Sequence, residues 1–338
     1  MSRRIGFLGG DDQPVVTWAL LGANVLVFLA ATASGGTEDS EVLLDFGAMF
    51  GPLIASGEYW RLFSAMFLHV GLTHLFVNAF ALFVFGPIVE RAFGRTKFLT
   101  IYLLGGLTGS VASYLLNSIA IGAGASGAVF AVVGGLGAFF VVQRDALGSM
   151  GRRSLGGLLV LTGINLIFGL IMPGIDNWAH IGGLVGGVVL GMILAPRFQA
   201  TPTPPGVPSE VVDLNPLSQR FWVILPWLGI LTAGTWAAGA TMPENPYTHV
   251  FVAERYFYRD DYGKALEEID KALVPYDSID PTQILLARGD AHLLRGRILT
   301  SQGAFEQAKT ELGEAIRYGD RMTKAEAREL LVGLSLLR

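Results

Sequence analysis

Apolar residues along this chain come in long runs, not in the alternation of a half-buried strand or the one-sided stripe of a surface helix. Seven runs stand out, at about 14–33, 64–88, 98–118, 123–142, 155–172, 178–195 and 221–241. Each is near the roughly 20 residues that an α-helix needs to cross hydrocarbon. The fifth and sixth are read as short, suited to a thinned bilayer or a half-submerged place in a bundle. After residue 242 the pattern changes to charged and apolar residues mixed at helical spacing, as in soluble helices. The predicted fold is all-α: a polytopic membrane bundle with a six-helix core and an appended seventh helix, then a small soluble α-helical domain.

Composition supports this division. Hydrophobic residues make up 51% of the 338 and charged residues only 15%, where soluble domains carry about 25%. The 44 glycines also fit, because membrane helices use Gly to bring backbones close. A net charge of -4 gives no reason to expect a nucleic-acid partner, and no metal or organic cofactor is implied. With no cysteine, disulfides, thiolate catalysis and cysteine metal sites are excluded. The N-terminal stretch has no apolar run before Pro14, so the first run is read as a retained anchor, not a cleaved signal.

Basic residues set the expected orientation. Arg3 and Arg4 precede the first run; Arg91, Arg95 and Lys97 follow the second; Arg144, Arg152 and Arg153 follow the fourth; Arg197 and Arg220 follow the sixth. The opposite loops hold only Arg61, in the long loop 34–63. The positive-inside rule then puts the N-terminus in the cytoplasm. The C-terminal domain falls outside if the seventh run spans. Residues 196–220 are proline-rich and read as a cytoplasmic linker between a core at 1–195 and a seventh helix at 221–241. Within 242–338, Tyr262, Ala265, Ile269 and Ala272 repeat as Phe305, Ala308, Leu312 and Ala315. That spacing resembles the second helix of a tetratricopeptide repeat, although the 43-residue period is longer than the usual 34. A final amphipathic helix is expected at about 323–337.

Polar residues inside apolar spans are functional suspects. Here they are His74 and Asn78 in the second run, Ser126 in the fourth and His180 in the sixth. If the second helix begins near Gly71, all four lie one or two turns below the outer face, with Ser126 and His180 roughly 6 Å deep. The spans carrying Ser126 and His180 also have small-xxx-small faces, Gly127 with Ala131 and Gly183 with Gly187. Close crossing there would bring a serine hydroxyl within reach of an imidazole, as nucleophilic attack on a carbonyl requires. Taken singly, Ser126 also reads as an inter-helix hydrogen bond and His180 as a structural group. Asp176 reads as the cap of the sixth helix, His69 as an interfacial or loop-bracing group, and Asn117 and Asn165 as cap or packing residues.

These stretches resemble the rhomboid family of intramembrane serine proteases over about residues 14–195. The Gly-x-Ser-Gly motif is Gly124, Ala125, Ser126 and Gly127; Ala-His-x-x-Gly is Ala179, His180 and Gly183; His-x-x-x-Asn is His74 and Asn78. Trp60 with Arg61, and Glu90, Arg91 and Gly94, also match and read as loop anchoring and helix-end pairing. The resemblance implies Ser126 as nucleophile, His180 as general base and then acid, and His74, Asn78 and the Ser126 N–H as oxyanion donors. Phe130 stands where some members have tyrosine, so stacking under the histidine would persist without a hydroxyl. The implied activity is endoproteolysis of transmembrane protein substrates in a bacterial-type plasma membrane. The C-terminal domain is a candidate site for a protein partner. A catalytically silent relative that only binds membrane segments is the alternative, although such relatives lack the serine or the histidine. A small-solute transporter would favour charges at the midplane or facing broken helices, and neither is seen.

Overall fold

The computed structural model describes residues 13–172, 174–200, 211–242, 244–276 and 279–336. Arg3, Arg4 and the stretch 201–210 of the predicted linker lie outside them. The chain divides into two units, Met1–Met242 and Pro243–Arg338. The first contains α1 (Val15–Ala33), α2 (Ser40–Asp45), α3 (Gly51–Ala55), α4 (Arg61–Ser64), α5 (Gly71–Phe93), α6 (Arg95–Leu116), α7 (Ser126–Val142), α8 (Arg144–Ile171), α9 (Asn177–Leu194) and α10 (Ile224–Thr241). Among the described residues, six helices are long and apolar enough to span a bilayer: α1, α5, α6, α8, α9, and α10 with the 3-10 turn Phe221–Val223 before it. With the shorter α7 they fall on all seven predicted runs, and the protein is a multi-pass membrane helical bundle.

Two lengths differ from the sequence reading. The fourth run, not the fifth, gives the shortest helix, at 17 residues. Gly124 has φ +152°, so α7 cannot start before Ser126, and the glycine-rich residues ahead of it are loop. The fifth run is longer than expected because helix extends back to Arg144, interrupted at Gly148, where φ is 55° and ψ is -130°. The predicted linker also has order. Phe198–Ala200 and Val211–Asp213 pair as a short antiparallel ribbon, β1 and β2.

The bundle centres on α7, which packs along α9, with α6 against both. At Gly183 a Cβ would lie 2.0 Å from the Gly127 carbonyl oxygen, and at Gly187 2.0 Å from that of Ala131. The two small-residue faces predicted from the sequence therefore meet each other. From α6, Gly109 approaches the Ala179 carbonyl at a Cβ distance of 2.6 Å, and Gly105 approaches Ala131 at 2.4 Å. A Cβ at these positions would overlap the neighbouring helix, so the approach requires glycine. Such contacts matter in lipid, where packing rather than water exclusion drives helix association.

Polar contacts fix the ends of the spans. Pro14 gives α1 no side-chain cap. Instead the buried Glu90 carboxylate of α5 accepts from the N–H of Val16 at 3.0 Å, and from the N–H and hydroxyl of Thr17 at 2.7 Å each. An acid at a helix N-terminus satisfies orphan amides and the helix dipole together. At the end of the bundle opposite Ser126, Lys97 pairs with Asp213 at 2.6 Å. Asn215 donates to the Ile193 and Ala195 carbonyls at the end of α9. Burial would raise the Asp213 carboxyl, but Lys97 and the N–H groups of Asn215 and Arg197 hold it below the usual range. Helix α10 lies on α6, where Trp227 Nε1–H donates to Thr108 Oγ1 at 3.1 Å. Leu231 and Ala238 of α10 pack with Val111 and Tyr114 of α6.

The second unit contains α11 (Pro246–Phe257), α12 (Tyr262–Ala272), α13 (Pro281–Ser301), α14 (Phe305–Tyr318) and α15 (Arg321–Leu336). Helices α11 with α12, and α13 with α14, form hairpins. Of the repeated positions, Ala265, Ile269, Ala272, Ala308, Leu312 and Ala315 are fully buried, whereas Phe305 is 40% exposed. The repeat extends to a polar pair. His249 Nδ1 meets Glu268 Oε2 at 2.6 Å, and 43 residues later His292 Nδ1 meets Glu311 Oε2 at 2.6 Å. Burial raises both glutamates, but His249 and Lys271 outweigh it at Glu268, as His292 and Arg295 do at Glu311, so both are held low.

Three outcomes follow for stability. Glu90→Ala leaves the α1 amides unpaired and lowers stability by about 2–4 kcal/mol, measured by reversible unfolding in micelles. Gly187→Leu forces α7 and α9 apart and costs upwards of ~2 kcal/mol, while Gly22→Leu, with open space around it, changes little. In the full chain, the glutamates' contribution to the C-terminal unit is present above their ordinary value of 4.5. It is lost as the pH falls towards their lower folded values. Hydrogen exchange of α11–α14 should rise over that window, and Glu268→Gln should flatten the rise.

Candidate active site

The turn before α7 is held by main-chain bonds to the long loop between α1 and α5. Met49 and Gly122 exchange two hydrogen bonds of 2.8 Å, Gly51 N–H donates to Ser118 O at 2.8 Å, and Gly124 N–H donates to Ala65 O at 2.9 Å. The loop is itself fastened by Arg61, which is fully buried. Its guanidinium donates to Glu58 at 2.6 Å and to the carbonyls of Leu44 and Ala48 at 2.6 and 3.0 Å, beneath the Trp60 ring. The loop-anchoring reading of Trp60 and Arg61 fits these contacts.

Ser126 is the first residue of α7, at the mouth of the helix and not one turn inside it as the sequence suggested. The correction follows from Gly124, whose backbone turns the chain two residues earlier. An amide in the first turn has no intrahelical acceptor, so the Ser126 N–H is available to a ligand. Ser126 is half-buried.

His74 and Asn78 project from the start of α5, which begins at Gly71 as expected. The His74 ring lies 2.9–3.0 Å, and Ser126 Oγ 3.6 Å, from the point where a Cβ on Gly124 would sit. Both therefore crowd the same glycine. Val70 N–H donates to His74 Nδ1 at 3.4 Å, so a neutral ring carries its proton on Nε2. Asn78 Nδ2 spends one hydrogen on the His74 carbonyl at 3.0 Å and keeps a second.

His180 lies one turn into α9 and is 8% exposed. Its ring stacks on Phe130 of α7, with centroids 4.3 Å apart and planes 12° apart. The expected stacking without a tyrosine hydroxyl is present. His180 Nδ1 is buried with no hydrogen-bond partner. Among the described residues no hydrogen bond joins Ser126 Oγ to His180. The helices that carry them are in backbone contact at Gly127 and Gly183, one residue from the serine and three from the histidine. In unliganded sites such bonds are commonly long and tighten when substrate binds.

Two further groups are better defined here than by sequence reasoning. His69 is 1% exposed and accepts from Ala125 N–H through Nε2 at 3.5 Å, with its ring edge-on to His74 at 5.3 Å. Of its interfacial and loop-bracing readings the loop brace fits, and it acts on the residue before Ser126. Ser113 of α6 gave no signal in a segment rich in small residues, yet its hydroxyl donates to the Asp176 carboxylate. Asp176 also caps α9 as expected, accepting from Trp178 and Ala179 N–H at 3.1 Å each.

Comparison with known proteins shows the family. Residues 56–197 match the model of the Rhomboid domain. Rhomboid protease GluP of Bacillus subtilis is 41% identical over 178 residues, 52% of this chain and 34% of GluP. RHOMBOID-like protein 7 of Arabidopsis thaliana is 36% identical over 163 residues, 47% of this chain and 51% of that protein. A second Bacillus subtilis rhomboid, YdcA, is 33% identical over 141 residues, 41% of this chain and 69% of YdcA. The chain spans about a third to a half of the length of the first two. With most of YdcA covered and the domain matched across α4–α9, the chain belongs to the rhomboid family.

Proposed function

We propose that the protein is an intramembrane serine endopeptidase that cuts peptide bonds within or beside the transmembrane segments of other membrane proteins. Ser126 Oγ bonds to the scissile carbonyl carbon while its proton passes to His180, and the carbonyl π pair moves onto oxygen. The buried Nδ1 leaves Nε2 as the nitrogen that takes the proton. His74 Nε2–H, the second Nδ2–H of Asn78 and the Ser126 N–H receive the oxyanion; donors of this kind are worth about 3–4 kcal/mol each. Collapse breaks the C–N bond, and the amine leaves with the proton from His180. Water then attacks the acyl carbon and gives its proton to His180; the bond from that carbon to Ser126 Oγ breaks, Oγ takes the proton back, and the new carboxyl end of the substrate leaves. The observation that carries this reading is the Gly127–Gly183 crossing, which brings the serine's turn and the histidine's turn together beside His74.

Helices α5 and α8 each pack on α7 but share no extended interface with one another. The gap between them is the route by which a substrate helix reaches Ser126. That helix must unwind to present a carbonyl, so cleavage favours small residues at the cut and helix breakers after it. The positive-inside pattern puts the N-terminus in the cytoplasm of a bacterial-type cell and opens the site outward. The hairpins of α11–α14 are read as a tetratricopeptide-like module that binds a protein partner or a substrate ectodomain.

The test uses the full chain in liposomes with a transmembrane substrate and a fluorophosphonate label. Ser126→Ala should abolish labelling and lower cleavage at least ~10³-fold, and His180→Ala should do the same to cleavage. Equal labelling of Ser126→Ala, or a wild-type chain that binds the substrate without cutting it, supports the silent relative instead. Cleavage indifferent to Gly or Pro in the substrate segment would count against the unwinding requirement.

A further inference from the structure

The machinery above leaves one charged group near the site without a chemical role. Asp176 is the N-cap of α9, and His180 lies four residues on, so the two share one face of the first turn. Oδ1 of Asp176 holds the N–H groups of Trp178 and Ala179, and Oδ2 accepts from the Ser113 hydroxyl of α6. Ser113 is 1% exposed, so this carboxylate is tied into the bundle at a fixed position. A cap alone does not require a charge, since Asn and Ser cap as well as Asp. Nor does a cap require a tether from another helix. The His180 ring, by contrast, stacks on Phe130, and among the described residues its Nδ1 has no hydrogen-bond partner. Among the described residues no carboxylate is hydrogen-bonded to the ring to answer the positive charge it gains on taking the Ser126 proton.

We propose that Asp176, held by Ser113, is a positioning residue for catalysis: a fixed negative charge one turn from His180 that stabilises the imidazolium formed as Ser126 Oγ attacks. This rests on the protease reading. It adds that the dyad has an electrostatic third member acting at a distance, in place of a carboxylate bonded to the imidazole. The proton still passes from Ser126 to His180 and on to the leaving amine, and none goes to Asp176. Its carboxylate already accepts three hydrogen bonds from the helix and Ser113, so it acts through its charge and its fixed position.

The decisive variants remove the charge and keep the cap. Asp176→Asn and Asp176→Ser both cap α9, so thermal unfolding in micelles should stay near wild type. The expected result is a fall in kcat of about tenfold, as for a unit charge several ångströms away at intermediate dielectric, with KM unchanged. Fluorophosphonate labelling of Ser126 should slow in parallel. Asp176→Glu, which restores the charge, should recover part of the kcat, and Ser113→Ala, which frees the carboxylate, should lose a part. If one neutral variant fails to fold, the other decides. A folded neutral variant with wild-type kcat overturns the proposal, as does a loss confined to KM or matched by lost stability. Failure of the protease reading is distinct: wild type and Ser126→Ala would then be equally inactive.

Discussion

The site depends on a backbone crossing between two helices. Helices α7 and α9 touch main chain to main chain at Gly127 with Gly183 and at Ala131 with Gly187. In water such an approach would be driven by burial of apolar side chains. In lipid it rests on dispersion between surfaces that fit, since the lipid tails are as apolar as the helices. The glycines therefore set a distance. Any side chain at Gly183 would push the helix ends apart and separate the turn of Ser126 from the turn of His180.

Around that crossing the molecule divides its labour. The half near Ser126 is organised by hydrogen bonds: the Met49–Gly122 pair, the Arg61 anchor, His69 on Ala125 and Asp176 between α6 and α9. The half away from it is held by Glu90 on the start of α1 and by the stitches Lys97–Asp213 and Asn215 on α9. Backbone outside a helix is tolerated at membrane depth only where protein or a wet cavity supplies its partners. The loop before Ser126 meets that condition through main-chain bonds from a segment some 70 residues earlier.

Much of this was legible in the sequence because membrane spans leave so little room for polar groups. Seven apolar runs gave seven helices, and Ser126, His180, His74 and Asn78 stood out as polar positions within them. The Gly127/Ala131 and Gly183/Gly187 faces were visible as periodic small residues. Where α7 begins was not visible, because Gly124 adopts its φ in response to Met49 and Ala65, far away in the chain. The tether from Ser113 was hidden for the opposite reason: a lone serine in a Gly- and Ser-containing span carries no signal until its partner is known. The lengths of the fourth and fifth helices were misjudged because hydropathy locates apolar side chains, whereas helix ends are decided by glycine geometry and by capping. In the C-terminal unit the repeated alanines marked the core, while the His–Glu pairs crossing each hairpin showed only once both helices were in place.

The cap on α1 has a consequence for biogenesis. The first span cannot saturate its own leading amides. The carboxylate that does so is carried on α5, 73 and 74 residues further along, and arrives only after the intervening loop has been made. During synthesis the first helix must therefore wait, with its end solvated at the membrane surface, until the second inserts beside it. The two spans then lock as a pair.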